Sequence, residues 1–225
     1  MSSTVQAKPT EPPVGILGGT FDPIHNAHLR LAQEAQHQFG LETVTFVPAG
    51  RPWHRAPPLA SAEHRLAMVR LAVADHAGFM VDDTEVRTEA PGYTVDTLER
   101  LRRQFGPARP LVLLLGADAF LGLSSWHRWQ HLFELAHVGV ATRPGHDLVP
   151  TAMPAPLAQA YQQRLADAGT MSDRPAGAIA PFILSAGTVS STAVRTQRGT
   201  GSDIRDLLPD CVVDYIDLHH LYLGN

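Results

Sequence analysis

The sequence predicts an α/β fold built on a doubly wound parallel sheet with helices on both faces. Two observations predict it. Short apolar runs alternate along the chain with stretches whose apolar residues recur at helical spacing. Several of those runs, LVLLL at Leu111–Leu115 above all, are continuously apolar rather than alternating, as in strands buried on both faces.

Val14-Gly15-Ile16-Leu17 reads as a short buried strand, stopped by Gly18-Gly19. From Asn26 to Phe39 the apolar residues Ala27, Leu31, Ala35 and Phe39 recur every four positions, a helical stripe, and Gly40 is a natural helix stop. TVTFVP is a β-branched run ended by Pro48, and AGRPWHRAPP is a loop by its prolines and glycine. Ser61 starts a helix through Leu66, Val69 and Val73 that ends near Gly78, ahead of a strand at Phe79-Met80-Val81. Thr94 caps a helix carrying Leu98, Leu101 and Phe105, with Gly106 after it. Beyond LVLLL, Leu132, Phe133 and Leu135 mark a helix, and Val138 and Val140 a strand. A helix over 157–168, a strand at Phe182-Ile183-Leu184 and a final helix over 210–221 complete the pattern. Ligands on such sheets bind at the carboxyl ends of the strands, so the loops after Leu17, Val47, Leu115 and Leu184 are expected to share one cleft.

The 225 residues, 44% hydrophobic and 18% charged, suit one globular domain over 14–225, with a C-terminal helical portion. The polar, proline-rich stretch 1–13 reads as a disordered tail without the apolar core of a signal peptide. A net charge of -4 leaves no basic footprint for a nucleic acid polymer, whereas a small phosphorylated ligand needs only a few placed cations. The longest apolar run, LVLLLG, is far short of the roughly 20 residues that span a bilayer. Cys211, the single cysteine, excludes an intrachain disulfide and reads as a packing residue, which together with the missing signal segment predicts a cytoplasmic protein. A homo-oligomer is compatible with all of this; nothing in the residues selects it.

The stretch GILGGTFDPIHNAHL, Gly15 to Leu29, carries the first chemical signal. Gly18-Gly19 stands where a strand becomes a helix, and glycine there permits close backbone approach or a positive φ. A helix N-terminus attracts an anion. No GKS or GKT follows, and the pattern is not GxGxxG. His25 and His28, three apart, share a face beside those N–H groups. Phosphate handling, a structural pair and a metal pair are the readings, and helical zinc pairs are usually four apart with a glutamate between. VSSTAVR, Val189 to Arg195, is the second signal. Ser190 and Ser191 are good N-caps, and Arg195, one turn inside, leans back toward them, so hydroxyl, N–H and guanidinium can converge on one anion. A plain capped helix is the alternative. Asp118 follows LVLLLG where ligand-binding residues of parallel sheets sit. Trp126 suits either a stacking platform for an aromatic heterocycle or a half-buried core position. Trp129 reads as core, and His54 with Arg55 as a small anion patch or a solvated pair.

GGTFDPIHNAH resembles the GGTFDPxHxGH signature of the nucleotidylyltransferase superfamily, with Ala27 where glycine is usual, and VSSTAVR resembles its ISSTxxR motif. PAGRPWHR, APGYTVDTL, LGADAFLGLSSWHRW and ATRPG narrow the likeness to the nicotinate-nucleotide adenylyltransferases, in the expected order from Gly15 to Tyr222. That resemblance implies a Rossmann-like, HxGH-type fold. It implies transfer of the adenylyl group of ATP to nicotinate mononucleotide, with release of pyrophosphate, in NAD biosynthesis. Mg²⁺ would travel with ATP, held mainly by phosphates. By the same resemblance, Gly18, Gly19, Thr20, Phe21, Gly116 and Arg143 would meet the nucleotide, and His25, His28 and Arg195 would be catalytic. Ser190 and Ser191 would hold the β- and γ-phosphates, and His54 and Arg55 the mononucleotide phosphate. Thr94 and Trp126 would frame the pyridine ring and Asp118 would contact ribose hydroxyls. Asp22 reads as a turn-stabilising residue before Pro23, with an outer-sphere Mg²⁺ contact as its alternative. The competing functions are transfer to nicotinamide mononucleotide or phosphopantetheine, and nucleotide sensing without catalysis. His25 speaks against the phosphopantetheine enzymes, which resemble this motif but carry threonine there.

Overall fold

The computed structural model describes residues 11–52, 57–88, 92–185 and 189–224. In chain order the elements are β1 (Val14–Gly19), α1 (Asn26–Phe39), β2 (Thr43–Pro48), α2 (Ala62–Val73), β3 (Phe79–Val81), α3 (Thr84–Arg87) and α4 (Thr94–Phe105). Then come β4 (Leu111–Gly116), α5 (Ala117–Leu121), α6 (Leu132–Leu135), β5 (His137–Thr142), α7 (Ala155–Arg164), β6 (Ile179–Ile183), α8 (Ser191–Gly199) and α9 (Asp210–Leu218). The strands form one sheet in the order β3-β2-β1-β4-β5-β6, so the winding reverses at β1. β1 pairs in parallel with β4, β4 with β5 and β5 with β6, with Val14 opposite Leu111 and Leu113 opposite Val138. This is the α/β parallel-sheet architecture that the alternating pattern predicts.

The chain divides into two compact units of interleaved segments. One comprises Met1–Ile16, Glu34–Val44 and Tyr93–Leu184, the other Leu17–Gln33, Thr45–Gly92 and Ser185–Asn225, the division falling inside β1 and β2. In the first unit the strands β4 and β5 are buried along almost their whole length. Glycine lets neighbours close in on the sheet: a Cβ at Gly139 of β5 would lie 2.7 Å from the Phe39 ring, and one at Gly15 of β1 would lie 2.8 Å from Leu41. In the second unit Ile24, Phe46, Met68, Val69, Val194 and Val212 are fully buried.

Several boundaries differ from the sequence reading, each for a local reason. β1 runs on through Gly18 and Gly19 instead of stopping before them. α2 begins as expected, with Ser61 accepting from the His64 N–H, but ends at Val73. The N-cap of α4 is Tyr93, with no side-chain cap bond, so Thr94 is the first helical residue and not the cap. α7 stops at Arg164 because Leu165 leaves to bridge Ile179 at the sheet. β6 accordingly starts earlier, at Ile179. α9 stops at Leu218 because His220 and Tyr222 adopt positive φ, 52° and 59°, and turn the chain. Of the expected tail, Glu11 and Pro12 are held: Arg109 donates to the Pro12 carbonyl at 2.7 Å and to Glu11 at 2.6 Å. Cys211 is exposed rather than packed, with its thiol toward the Leu71 carbonyl. Among the described residues no helix is long and apolar enough to cross a membrane.

Candidate active site

The glycine loop opens the site in the second unit. Gly18 is exposed, and a Cβ there would meet nothing within 4 Å, so the chain itself leaves room beside it. A Cβ at Gly19 would lie 2.9 Å from the Phe21 ring, which folds back over it. The left-handed backbone falls on Phe21, at φ 49°, and not on either glycine. Such a residue costs on the order of 1–3 kcal/mol. The buried ring holds it there, edge-on to His28 at 5.0 Å and 6.0 Å from Phe46.

His25 and His28 stack at the start of α1, with ring centroids 3.7 Å apart. The His25 backbone N–H donates to His28 Nδ1 at 3.3 Å. An Nδ1 that accepts leaves the ring proton of His28 on Nε2, so that nitrogen is a donor. His25 is only 5% exposed, and burial pushes its pKa down to about 4. It is a neutral ring at physiological pH. Its Nδ1 is buried with no partner among the described residues.

The second signal comes to the same place. Ser190 caps α8 by accepting from the Ala193 N–H at 3.1 Å. Ser191 is not a cap: it is the first helical residue, and its hydroxyl donates to the Pro23 carbonyl at 3.0 Å. Arg195 Nη1 donates to the Asp22 carbonyl at 2.7 Å. The start of α8 therefore rests on the Asp22–Pro23 turn that leads into His25, although the two motifs lie far apart in sequence. Arg195 remains 26% exposed.

A family model described as cytidylyltransferase-like matches residues 16–197. The chain belongs to that family. A probable nicotinate-nucleotide adenylyltransferase of Dechloromonas aromatica is 49% identical over 211 residues, 93% of this chain and 97% of that one. One of Acidithiobacillus ferrooxidans is 45% identical over 208 residues, covering 92% of this chain and 94% of the relative. Among solved structures, Plasmodium falciparum nicotinic acid mononucleotide adenylyltransferase complexed with NaAD superposes with a TM-score of 0.70 at 18% identity. That likeness covers 94% of this chain and 98% of the other, and it shows a shared fold.

In this family member the other predicted residues lie in the first unit, apart from His54 and Arg55, which fall outside the described residues. Gly116 is the N-cap of α5, and Asp118 is exposed just beyond it. Arg143 is exposed directly after β5. Thr94 and Trp126 are half-buried, and beside them the rings of Tyr93 and His127 lie 4.5 Å apart. Trp129 is half-buried and edge-on to Phe133.

Asp22, read as turn-stabilising, holds the loop together with Arg65 and Tyr222, which the motifs did not single out. The Asp22 carboxylate, 5% exposed, accepts from the N–H groups of Leu59 at 2.9 Å and Ala60 at 3.1 Å, and from the Tyr222 hydroxyl at 2.8 Å. Burial and the neighbouring Asp22 push the Tyr222 phenol far above its usual range, so it stays a proton donor. Arg65, 1% exposed, donates to the carbonyls of Thr20, Ala49, Gly50 and Ala60. One signal was present: Arg65, Met68, Val69 and Ala72 fall at i, i+3, i+4 and i+7, a cation on the apolar stripe of α2. Among the described residues no three His, Cys, Asp or Glu side chains gather as a metal site. Asp22 spends Oδ1 on Ala60 and Tyr222 and one site of Oδ2 on Leu59, and Arg195 Nη1 lies 3.8 Å from that Oδ2.

Proposed function

We propose that the protein transfers the adenylyl group of ATP to nicotinate mononucleotide, giving nicotinate adenine dinucleotide and pyrophosphate. The observation that carries this reading is the seating of the SSTAVR helix start on the Asp22–Pro23 turn beside the stacked His25–His28 pair. The relatives at 45–49% identity over more than nine-tenths of the chain support the choice of acceptor.

The 5′-phosphate oxygen of the mononucleotide attacks the α-phosphorus. A P–O bond forms there as the bond to the bridging oxygen breaks, and the pair of electrons leaves with pyrophosphate. The nucleophile is already an anion at neutral pH, so neither a covalent enzyme intermediate nor a general base is required. The protein's task is to position two polyanions and to meet the charge that develops. His28 Nε2–H donates to the α-phosphate oxygens. His25 orients it, through its backbone N–H and the ring stack, rather than reaching the phosphates itself. Arg195, anchored on Asp22, and the first-turn N–H groups of α8 take the charge of the departing pyrophosphate. The Ser191 hydroxyl donates to Pro23 and builds the cradle, whereas Ser190 only accepts from its own helix and keeps its O–H for the β- and γ-phosphate oxygens. Gly18, Gly19, Thr20 and Phe21 supply close backbone approach, with Gly116 and Arg143 as further ATP contacts. Asp118, Thr94 and Trp126 serve the mononucleotide, as do His54 and Arg55. Mg²⁺ bound by phosphate oxygens and water would neutralise the triphosphate.

Pyrophosphate release with ATP and each mononucleotide in turn tests the reading. Release with nicotinate mononucleotide at a rate above that with the nicotinamide form is expected. No release with either would defeat it, and ATP binding without release would point to a sensor.

A further inference from the structure

We propose that Arg65 is a positioning residue for this transfer, fixing the nucleotide loop and the following loop in one register so that the two phosphates meet in line. The proposal rests on the adenylyl-transfer reading above. It starts from a cation where packing alone would not put one. Arg65 lies on the apolar stripe of α2 and is 1% exposed. A buried charge is costly unless it is paired and hydrogen-bonded. Here its guanidinium forks: Nη1 donates to Thr20 O at 2.6 Å and Ala49 O at 2.7 Å, Nη2 to Gly50 O at 3.1 Å and Nε to Ala60 O at 3.3 Å.

Those four carbonyls belong to three places. Thr20 is in the nucleotide loop. Ala49 and Gly50 begin the stretch that leaves β2, and Ala60 is where the chain returns to α2. A second set of bonds ties the same points independently: Ala49 N–H to Gly19 O at 2.9 Å, and the Leu59 and Ala60 N–H groups to the Asp22 carboxylate. Tyr222 holds that carboxylate from the other side. Nor is there slack at Gly50, where a Cβ would collide with the Glu85 carbonyl. Both ends of the stretch 49–60 are thus stapled to the loop that meets ATP. A misplacement of about 1 Å between reacting groups costs on the order of a hundredfold in rate.

Arg65→Lys separates positioning from folding, since a lysine keeps the charge but cannot fork across four acceptors. The variant is expected to fold, by circular dichroism and thermal melting. Its calorimetric Kd values for ATP and for nicotinate mononucleotide, each measured alone, should stay within about threefold of the parent, while kcat falls at least about tenfold. Arg102→Lys, a like substitution in the other unit, should lower Tm with kcat within about twofold. A folded Arg65→Lys protein with kcat within about twofold of the parent overturns the proposal, as does a loss of ATP affinity that accounts for the whole rate loss. Should Arg65→Lys not fold, Tyr222→Phe loosens the same staple by one bond. It should cut kcat about threefold or more at unchanged Kd, and unchanged kcat overturns the proposal. A parent protein that releases no pyrophosphate defeats the adenylyl-transfer reading itself, which an unaffected variant of an active parent does not.

Discussion

Each compact unit holds one arginine wrapped in backbone carbonyls and one buried neutral histidine, and the two pairs serve different ends. In the first unit Arg102 donates to the carbonyls of Leu135 at the end of α6, Gly106 at the C-cap of α4, and Arg109 and Pro175 in loops. In the second, Arg65 makes the same kind of cage around the nucleotide loop. Burial lowers the pKa of both guanidinium groups, and both remain cations at neutral pH. The histidines diverge further. His137 is fully buried and satisfied on both ring nitrogens, with Nδ1 accepting from Ala178 N–H at 3.0 Å and Nε2 donating to Arg174 O at 2.7 Å. His25 is as neutral, yet one ring nitrogen stays unpaired. His137 closes on backbone groups that tie β5 to the start of β6, whereas the His25 ring is held by stacking on His28 beside the nucleotide loop.

The comparison is sharpest at Arg102. Arg102→Met should strand the carbonyl groups of Leu135 and Gly106 and lower stability by about 3 kcal/mol in chemical denaturation, while kcat of the folded fraction is unchanged. A fall in kcat would erase the contrast with Arg65.

Next comes acid. Burial lowers His25 and His137 from 6.5 to about 4. Below pH 6.5 the unfolded chain takes up protons that the folded chain declines. Their contribution to stability is therefore full above pH 6.5, is lost as pH falls toward about 4, and is worth up to about 3 kcal/mol each. His137→Asn, whose Oδ1 can take the Ala178 N–H in place of Nδ1, should halve the steepness of that loss in denaturation between pH 6.5 and 4.5. An unchanged slope would mean that the His137 ring is not held neutral.

His28→Ala should cut turnover tenfold to a hundredfold, about 1.4–2.7 kcal/mol of barrier, with Tm shifted by no more than a few degrees. Near-normal turnover would remove the imidazole from the chemistry. The smallest effect is expected at Arg205, half-exposed and 3.7 Å from Asp210 and 3.9 Å from Asp214. Arg205→Ala should change stability by less than about 0.5 kcal/mol, less still in high salt.

Much of the fold was legible because its signals are local. LVLLL read as a strand buried on both faces, and the four-residue stripe from Ala27 to Phe39 as a helix, and the alternation led to the parallel sheet. The two anion motifs were legible for the same reason: glycines, histidines, serines and an arginine stand at fixed short spacings. What misled was equally local. Thr94 and Ser191 carry capping side chains, but Tyr93 and Ser190 hold those positions. The glycine pair suggested a left-handed turn that Phe21 makes instead, because the ring packing that holds it comes from His28 and Phe46.

Periodicity set the fold class, short spacings located two candidate anion motifs and the motif resemblance pointed to the family, because none of these needs a distant partner to be recognised. The tertiary structure alone decided that SSTAVR sits on the Asp22–Pro23 turn, which way His28 carries its proton, and that Arg65, Asp22 and Tyr222 form one network. Asp22 and Tyr222 are 200 positions apart, and a hydrogen bond over that separation exists only once the chain has closed around it.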